Sequence, residues 1–305
     1  MQFLIIIPII LSILNTTSTN NVFVYPEIYK DNNKIFIKFI DNKDQNSFPK
    51  KLINDSLGVR VGAKSVLVKD LNTDKILFSK NKDEKRQIAS ITKLMSAIII
   101  KDLNVDPEKL VEITSSDNVG DFSKTKISPG DKIKFKDLLS ASLVVSSNSG
   151  MLCAIKNSDI SEEEFVKKMN QKVEELNLKN THFDDATGLS NKNVSTADEI
   201  LKITKIAFSY PDIELETAQK KYSFTTDTGK TIEVKNTNEL IGSYLDIKAG
   251  KTGYTEEAGY CLVSKVGYDN KGPILVVVLG SDSHFERFSD LKDVSSWVFN
   301  NYVWK

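Results

Sequence analysis

Ser90 stands three residues ahead of Lys93, where a long apolar helical pattern begins in Ile-Ala-Ser-Ile-Thr-Lys-Leu-Met-Ser-Ala, residues 88 to 97. Leu94, Ala97, Ile98 and Leu103 follow at helical spacing, so Lys93 falls about one turn beyond Ser90 on the same face. A hydroxyl and an amine held this way form a nucleophile and base pair, and a helix N-terminus favours negative charge developing beside it. The amine must be uncharged to act. Free lysine titrates near 10.4, so fewer than about one in a thousand is neutral at pH 7. Burial and a nearby cation must depress Lys93, and Lys251 is the predicted cation.

Ser-x-x-Lys alone carries little weight in a lysine-rich chain, and it recurs at Ser47, Ser79, Ser123 and Ser289. Only Ser90 is followed by an apolar helix. Two later boxes add chemistry. Ser146-Ser147-Asn148 lies at the junction of two apolar helical stretches, and Lys251-Thr252-Gly253 stands between Leu245–Lys248 and a strand-like run at Tyr260–Val266. Ser116-Asp117-Asn118 rivals the middle box but sits in a polar loop. A junction of two apolar helices holds a polar group rigidly over a cleft, which favours 146 to 148.

The elements that must position these boxes read as follows. Ser65–Val68 and Lys75–Phe78 flank Leu-Asn-Thr-Asp, a hairpin signature. Lys136–Val145 is helical and apolar on one side, and a further helical stretch runs to Ile155. Ser161 with Glu164 forms a capping box, and Ser195 and Thr196 cap another helix. Strand-like runs then dominate at Tyr222–Thr225, Thr231–Val234, Tyr260–Val266 and Ile274–Leu279, before a helix from about Arg287 to Tyr302. The simplest packing joins first and last strands in one antiparallel sheet, with a helical insertion at about 101–220 and a site in the cleft between.

Lys+Arg and Asp+Glu balance at 41 each in 305 residues, so no basic field points to nucleic acid. Two Cys and two His exclude a rich metal site, and no cofactor is implied; Cys153 and Cys261 read as buried free thiols. The apolar run Phe3–Leu14 is too short for an ordinary transmembrane helix and reads as the core of an export signal, or an N-terminal anchor, over residues 1–20. It has no Lys or Arg and no clear small-x-small cleavage site. Residues 21–61 are Asn-, Asp- and Lys-rich, with β-like runs at Val22–Val24 and Lys34–Ile40, and read as a spacer. The catalytic domain is expected over 62–305. No second β-domain or amphipathic anchor is evident past the last helix, so any membrane tether is expected to be the leader.

Ser-x-x-Lys, a Ser-Asp-Asn-type box and Lys-Thr-Gly, in this order, are shared by penicillin-binding proteins and β-lactamases. From about Gly62 to Tyr302 the chain resembles the serine-type D-Ala-D-Ala carboxypeptidases, the low-molecular-weight penicillin-binding proteins. The resemblance rests on Ile88–Ala97, Leu138–Asn148, Thr181-His182-Phe183, Gly188-Leu189, Ser195-Thr196-Ala197-Asp198 and Lys251–Leu262. Ser147 stands where glycine is commoner, and Lys248-Ala249-Gly250 precedes the third box; neither removes a reacting group.

This resemblance implies an α+β fold with a five-stranded antiparallel sheet, flanked by helices and carrying an inserted mainly helical subdomain. It implies an exported, extracytoplasmic enzyme acting on peptidoglycan stem peptides ending in D-Ala-D-Ala and inhibited by β-lactams. Ser90 would form the acyl-enzyme, Lys93 take its proton, and Ser146 relay a proton to the leaving amine. Asn148 would hold the substrate amide and fix Lys93, and Lys251 and Thr252 would bind the terminal carboxylate; Arg287 resembles an arginine near the family's carboxylate site, with a surface salt bridge as the alternative. Gly253 would let the strand approach closely, and the backbone N–H groups of Ser90 and Tyr254 would hold the oxyanion. His182 and His284 lack a Gly-x-Ser-x-Gly nucleophile and read as structural or surface residues. Three alternatives stay open: a DD-endopeptidase, a silent peptidoglycan-binding protein, and a related β-lactamase. Val173-Glu174-Glu175-Leu176-Asn177 resembles the deacylating stretch of β-lactamases, but Val173 occupies the catalytic Glu position.

Overall fold

A computed structural model describes residues 25–31, 34–40, 48–268 and 271–304. The chain divides into two compact units at Phe48 and Pro49. In the first, β1 (Tyr25–Asp31) and β2 (Lys34–Ile40) form an antiparallel hairpin with Tyr25 opposite Ile40 and Asp31 opposite Lys34. The leader and the expected strand at Val22–Val24 lie outside the described residues.

The second unit begins at Pro49, ahead of the expected domain start at Gly62. Backbone pairing explains the difference. β3 (Lys50–Lys51) pairs with the C-terminal strand Tyr302–Val303, and Leu52 N donates to Asn301 O at 2.8 Å. Such bonds satisfy main-chain groups without any apolar pattern to announce them.

The central sheet contains β4 (Ser65–Asp70), β5 (Ile76–Lys80), β8 (Asp246–Thr255), β9 (Gly259–Tyr268) and β10 (Lys271–Ser281), in the order β8-β9-β10-β4-β5, all antiparallel. Alternate side chains go to opposite faces. Val66, Val68, Ile274, Val276 and Val278 join one apolar cluster, whereas Leu67, Leu275, Val277 and Leu279 join the other. Both faces are covered, which is why Ile274–Leu279 reads as an unbroken apolar run rather than an alternating one.

One cover is the C-terminal helix α7 (His284–Asn301), whose Phe288, Leu291, Val294 and Val298 recur at three- and four-residue spacing. Opposite it lie α1 (Lys93–Asp102), α2 (Phe135–Val145), α3 (Asn148–Lys156), α4 (Glu162–Glu175), α5 (Ala197–Ala207) and α6 (Pro211–Thr217). Every residue of α1 from Lys93 to Ile100 is buried, as expected of a helix enclosed on all sides. Each such Leu or Ile contributes about 1.5–3 kcal/mol by leaving water.

The strand-like runs after Phe208 do not all join the central sheet. β6 (Lys221–Thr225) and β7 (Thr231–Lys235) form a separate hairpin whose Phe224, Ile232 and Val234 pack in the helical core, so the helical part extends to Lys235 rather than 220. Ser161 and Thr196 cap α4 and α5, accepting from Glu164 N and Glu199 N at 3.1 Å. Ser195 instead bonds Thr181 Oγ1 at 2.7 Å.

Candidate active site

Ser90 lies in a 3-10 turn, Ala89–Thr92, that feeds directly into α1, so Lys93 is the first α-helical residue. Ala89 holds φ at +47°, and Ser146, the residue ending α2, holds +60°. Such left-handed conformations cost a non-glycine residue about 1–3 kcal/mol and persist only where surrounding structure enforces them. Part of that enforcement is close approach. A Cβ on Gly188 would lie 2.0 Å from Ala89 O, and one on Gly253 would lie 3.1 Å from Ser90 N. The backbone of two other segments therefore presses against the turn that presents Ser90.

Lys93 is fully buried. Its Nζ lies 2.9 Å from Ser90 Oγ, 2.6 Å from Asn148 Oδ1 and 2.8 Å from Thr187 O. Two of these partners are pure acceptors. A neutral amine gives its two protons to Asn148 and Thr187 and turns its lone pair to Ser90, the one partner able to donate. Burial pushes the Lys93 pKa down to about 7, opposed by Asp121 and Asp185 and assisted by the Lys124 charge. The expected influence of Lys251 is felt on the other side of the pair: Lys251 is pushed well below the usual lysine range by its own burial and by Lys93 and Arg287.

Asn148 opens α3, and the segment holding it is clamped by a residue with no sequence motif. The Asp121 carboxylate accepts from Ser147 Oγ at 3.0 Å, Asn148 N at 2.7 Å and Ser149 N at 2.9 Å. Burial works to raise Asp121, but donation by Ser149, Asn148 and Ser147 outweighs it and holds the carboxyl below its usual range. Ser147 is also the α3 N-cap, accepting from Gly150 N at 3.0 Å, which gives the departure from glycine a structural use. Thr187 is placed by Asp185, which accepts from Thr187 Oγ1 at 2.9 Å and Gly188 N at 2.6 Å.

Lys251, Thr252, Gly253 and Tyr254 lie on β8, the edge strand facing Ser90. Lys251 Nζ donates to Thr252 O at 3.0 Å, and Thr252 Oγ1 lies 2.6 Å from Thr237 Oγ1. Arg287, in the first turn of α7, donates to Gly253 O at 3.3 Å, and its buried Nε has no partner among the described residues. Lys93, Lys251 and Arg287 are bonded to hydroxyl, amide, carbonyl and imidazole groups, and among the described residues none of them pairs with a carboxylate. Arg287 keeps its charge, and a buried cation without a counter-ion is costly; an anionic ligand removes that cost. Tyr254 stacks on Tyr260, ring centroids 4.2 Å apart.

The rival motifs have other duties. Thr114 caps the turn Ser115–Asp117, and Asp117 closes the capping box, accepting from Thr114 N at 2.7 Å and from Lys156 Nζ at 2.8 Å. Val173 is buried in the core while Glu174 and Glu175 are exposed, so that stretch is an ordinary helix face. Cys153 and Cys261 are free and buried, and burial raises both thiols, to about 12 and about 11.

The turn that presents Ser90, the buried Lys93 beside it and the Lys251–Tyr254 strand facing it form an arrangement suited to a serine hydrolase. The family model described as D-alanyl-D-alanine carboxypeptidase matches residues 52–283. A D-alanyl-D-alanine endopeptidase of Pseudomonas aeruginosa is 34% identical over 244 residues, 78% of each chain. A Streptomyces K15 DD-transpeptidase superposes with a TM-score of 0.73 at 26% identity, over 79% of this chain and 99% of that one. Penicillin-binding protein D2 of Listeria monocytogenes, in its ampicillin-bound form, gives 0.69 at 25% identity, over 80% and 100%. The chain belongs to the D-alanyl-D-alanine carboxypeptidase family. Its activity is that of a serine DD-peptidase, a hydrolase of the D-Ala-D-Ala bond.

Proposed function

We propose that the protein removes the terminal D-Ala from peptidoglycan stem peptides through an acyl-enzyme on Ser90. The carrying observation is the set of Lys93 contacts, which suits a neutral amine accepting the Ser90 proton. Attack of Oγ on the penultimate D-Ala carbonyl forms a tetrahedral oxyanion held by the backbone N–H groups of Ser90 and Tyr254. Ser146 passes a proton to the departing D-Ala amine, and water then hydrolyses the ester. Lys251, Thr252 and Arg287 bind the terminal carboxylate. Its arrival restores charge to Lys251, and repulsion from that charge keeps Lys93 neutral.

β-Lactams acylate the same serine, a reading supported by the ampicillin-bound relative. The substrate requires an extracytoplasmic location, with the leader as export signal or tether; among the described residues no helix is long and apolar enough to cross a membrane. Fluorescent penicillin labelling of wild type and Ser90→Ala, with D-Ala release from an acyl-D-Ala-D-Ala peptide, tests this. Stable Ser90-dependent label and release of D-Ala are expected. Rapid loss of label would indicate a β-lactamase. Label without D-Ala release, combined with cleavage of cross-linked peptides, would indicate an endopeptidase.

A further inference from the structure

We propose that Glu239 and His284 are positioning residues that fix the Arg287 guanidinium for the substrate carboxylate without placing a carboxylate in direct contact with it. The proposal rests on the reading of Arg287 as a carboxylate binder. Arg287 Nη2 lies 3.0 Å from His284 Nδ1, and His284 Nε2 lies 2.8 Å from Glu239 Oε1. A guanidinium only donates, so His284 Nδ1 must accept. The imidazole proton then sits on Nε2 and is donated to Glu239. The Arg287 contact thus sets the tautomer, and Glu239 fixes the ring.

The geometry has a physical rationale. A carboxylate bonded directly to Arg287 would neutralise it and compete with the substrate. A neutral imidazole gives the guanidinium a fixed acceptor without cancelling its charge. The second anchor, Gly253 O at 3.3 Å, is neutral as well. The rings of Tyr260 and Phe288, 5.4 and 4.7 Å from the guanidinium carbon, complete the cradle, and Nε is left without a partner among the described residues.

Glu239 adds a link across the cleft wall. It lies on the loop between β7 and β8, two residues after Thr237, whose hydroxyl bonds Thr252. One loop therefore contacts both Thr252 and, through His284, Arg287. Sequence gave no sign of this, since Glu239 and His284 are 45 residues apart.

The test compares kcat and KM for an acyl-D-Ala-D-Ala peptide and its C-terminal methyl ester, in wild type, Arg287→Ala, His284→Ala, His284→Gln and Glu239→Gln. His284→Ala is expected to lower kcat/KM for the free acid about tenfold, through KM, with amide cleavage of the methyl ester substrate unchanged. His284→Gln restores an acceptor for Arg287 and should recover most of the loss, and Glu239→Gln should show a smaller one. Equal losses on both substrates would mark a structural role and overturn the proposal, as would an unaltered KM for the acid in His284→Ala. If Arg287→Ala too leaves the acid-over-ester preference intact, the carboxylate reading of Arg287 falls and takes this proposal with it. Loss of preference in Arg287→Ala alone rejects only the positioning role.

Discussion

The sharpest consequence of the buried lysine is a pH dependence of acylation. With Lys93 at about 7, half the molecules carry a neutral base at pH 7, against fewer than about one in a thousand for a solvated lysine. The sign follows from the role: the base works uncharged, so the rate rises as pH increases through 7 and levels above it. At pH 5.5 about 3% is neutral, so the acylation rate constant should be about thirtyfold below its value at pH 8.5. The assay is the initial rate of fluorescent penicillin labelling from pH 5.5 to 9, with circular dichroism at each pH as the control for folding. Lys93→Arg, permanently charged, should lose about a thousandfold or more. Lys124→Ala removes a charge that depresses Lys93 and should move the midpoint upward. A flat profile in folded protein, or a midpoint near 10, would refute the assignment of Lys93 as the base.

Gly253→Ala puts a methyl 3.1–3.2 Å from Ile88 O, Ser90 N and Ile91 N, so labelling should fall at least tenfold while thermal melting shows a destabilisation of about 1–3 kcal/mol. Glu216 is raised to about 7, first by burial, with Ser140 bonding its carboxylate. Its folded pKa exceeds the unfolded one, so stability is fullest below about pH 4.5 and declines as pH rises toward 7; Glu216→Gln should be more stable at pH 8 by about 1–2 kcal/mol, allowing for partial exposure, with no gain at pH 4, read by urea titration. Asp121 is shifted the other way, so its contribution is present above about pH 4 and lost in stronger acid. Asp121→Asn removes it at pH 7 and, by loosening Asn148, should slow penicillin labelling more than tenfold.

What was legible in the sequence, and what was not, divides along the range of the interactions. The central sheet was readable because Val66–Val68 and Ile274–Leu279 are apolar on both faces, and burial of both faces is itself a sequence pattern. The boxes at Ser90, Ser146 and Lys251 stood out in the sequence because the chemistry proposed for them demands particular residue types at short spacing. The β6–β7 hairpin was readable as strands but not as a satellite of the helices, since periodicity describes which faces are apolar and not which partner covers them. The lysine electrostatics were anticipated in sign and in their main cause. Burial, one of the two expected agents, dominates at Lys93; the repulsion expected between Lys251 and Lys93 appears as a lowering of Lys251, and Lys124 adds a cation that the sequence did not mark.

Asp121 shows why such groups escape notice. It sits in a polar loop, outside any motif, 27 residues from the Asn148 amide it receives. Its role exists only once the N-terminus of α3 is brought against it. The same holds for Thr187, which contributes a carbonyl that every residue possesses, so no residue type could have marked it. A nucleophile and its base must be specific side chains and leave a signature in sequence. The acceptors that strip two protons' worth of hydrogen bonding from Lys93, and so point its lone pair at Ser90, need only be oxygens in the right place. Mutations at Asp121 or Asp185, which hold those oxygens, should therefore act on the pH midpoint of acylation as well as its maximum, whereas a core truncation such as Val298→Ala should alter stability alone.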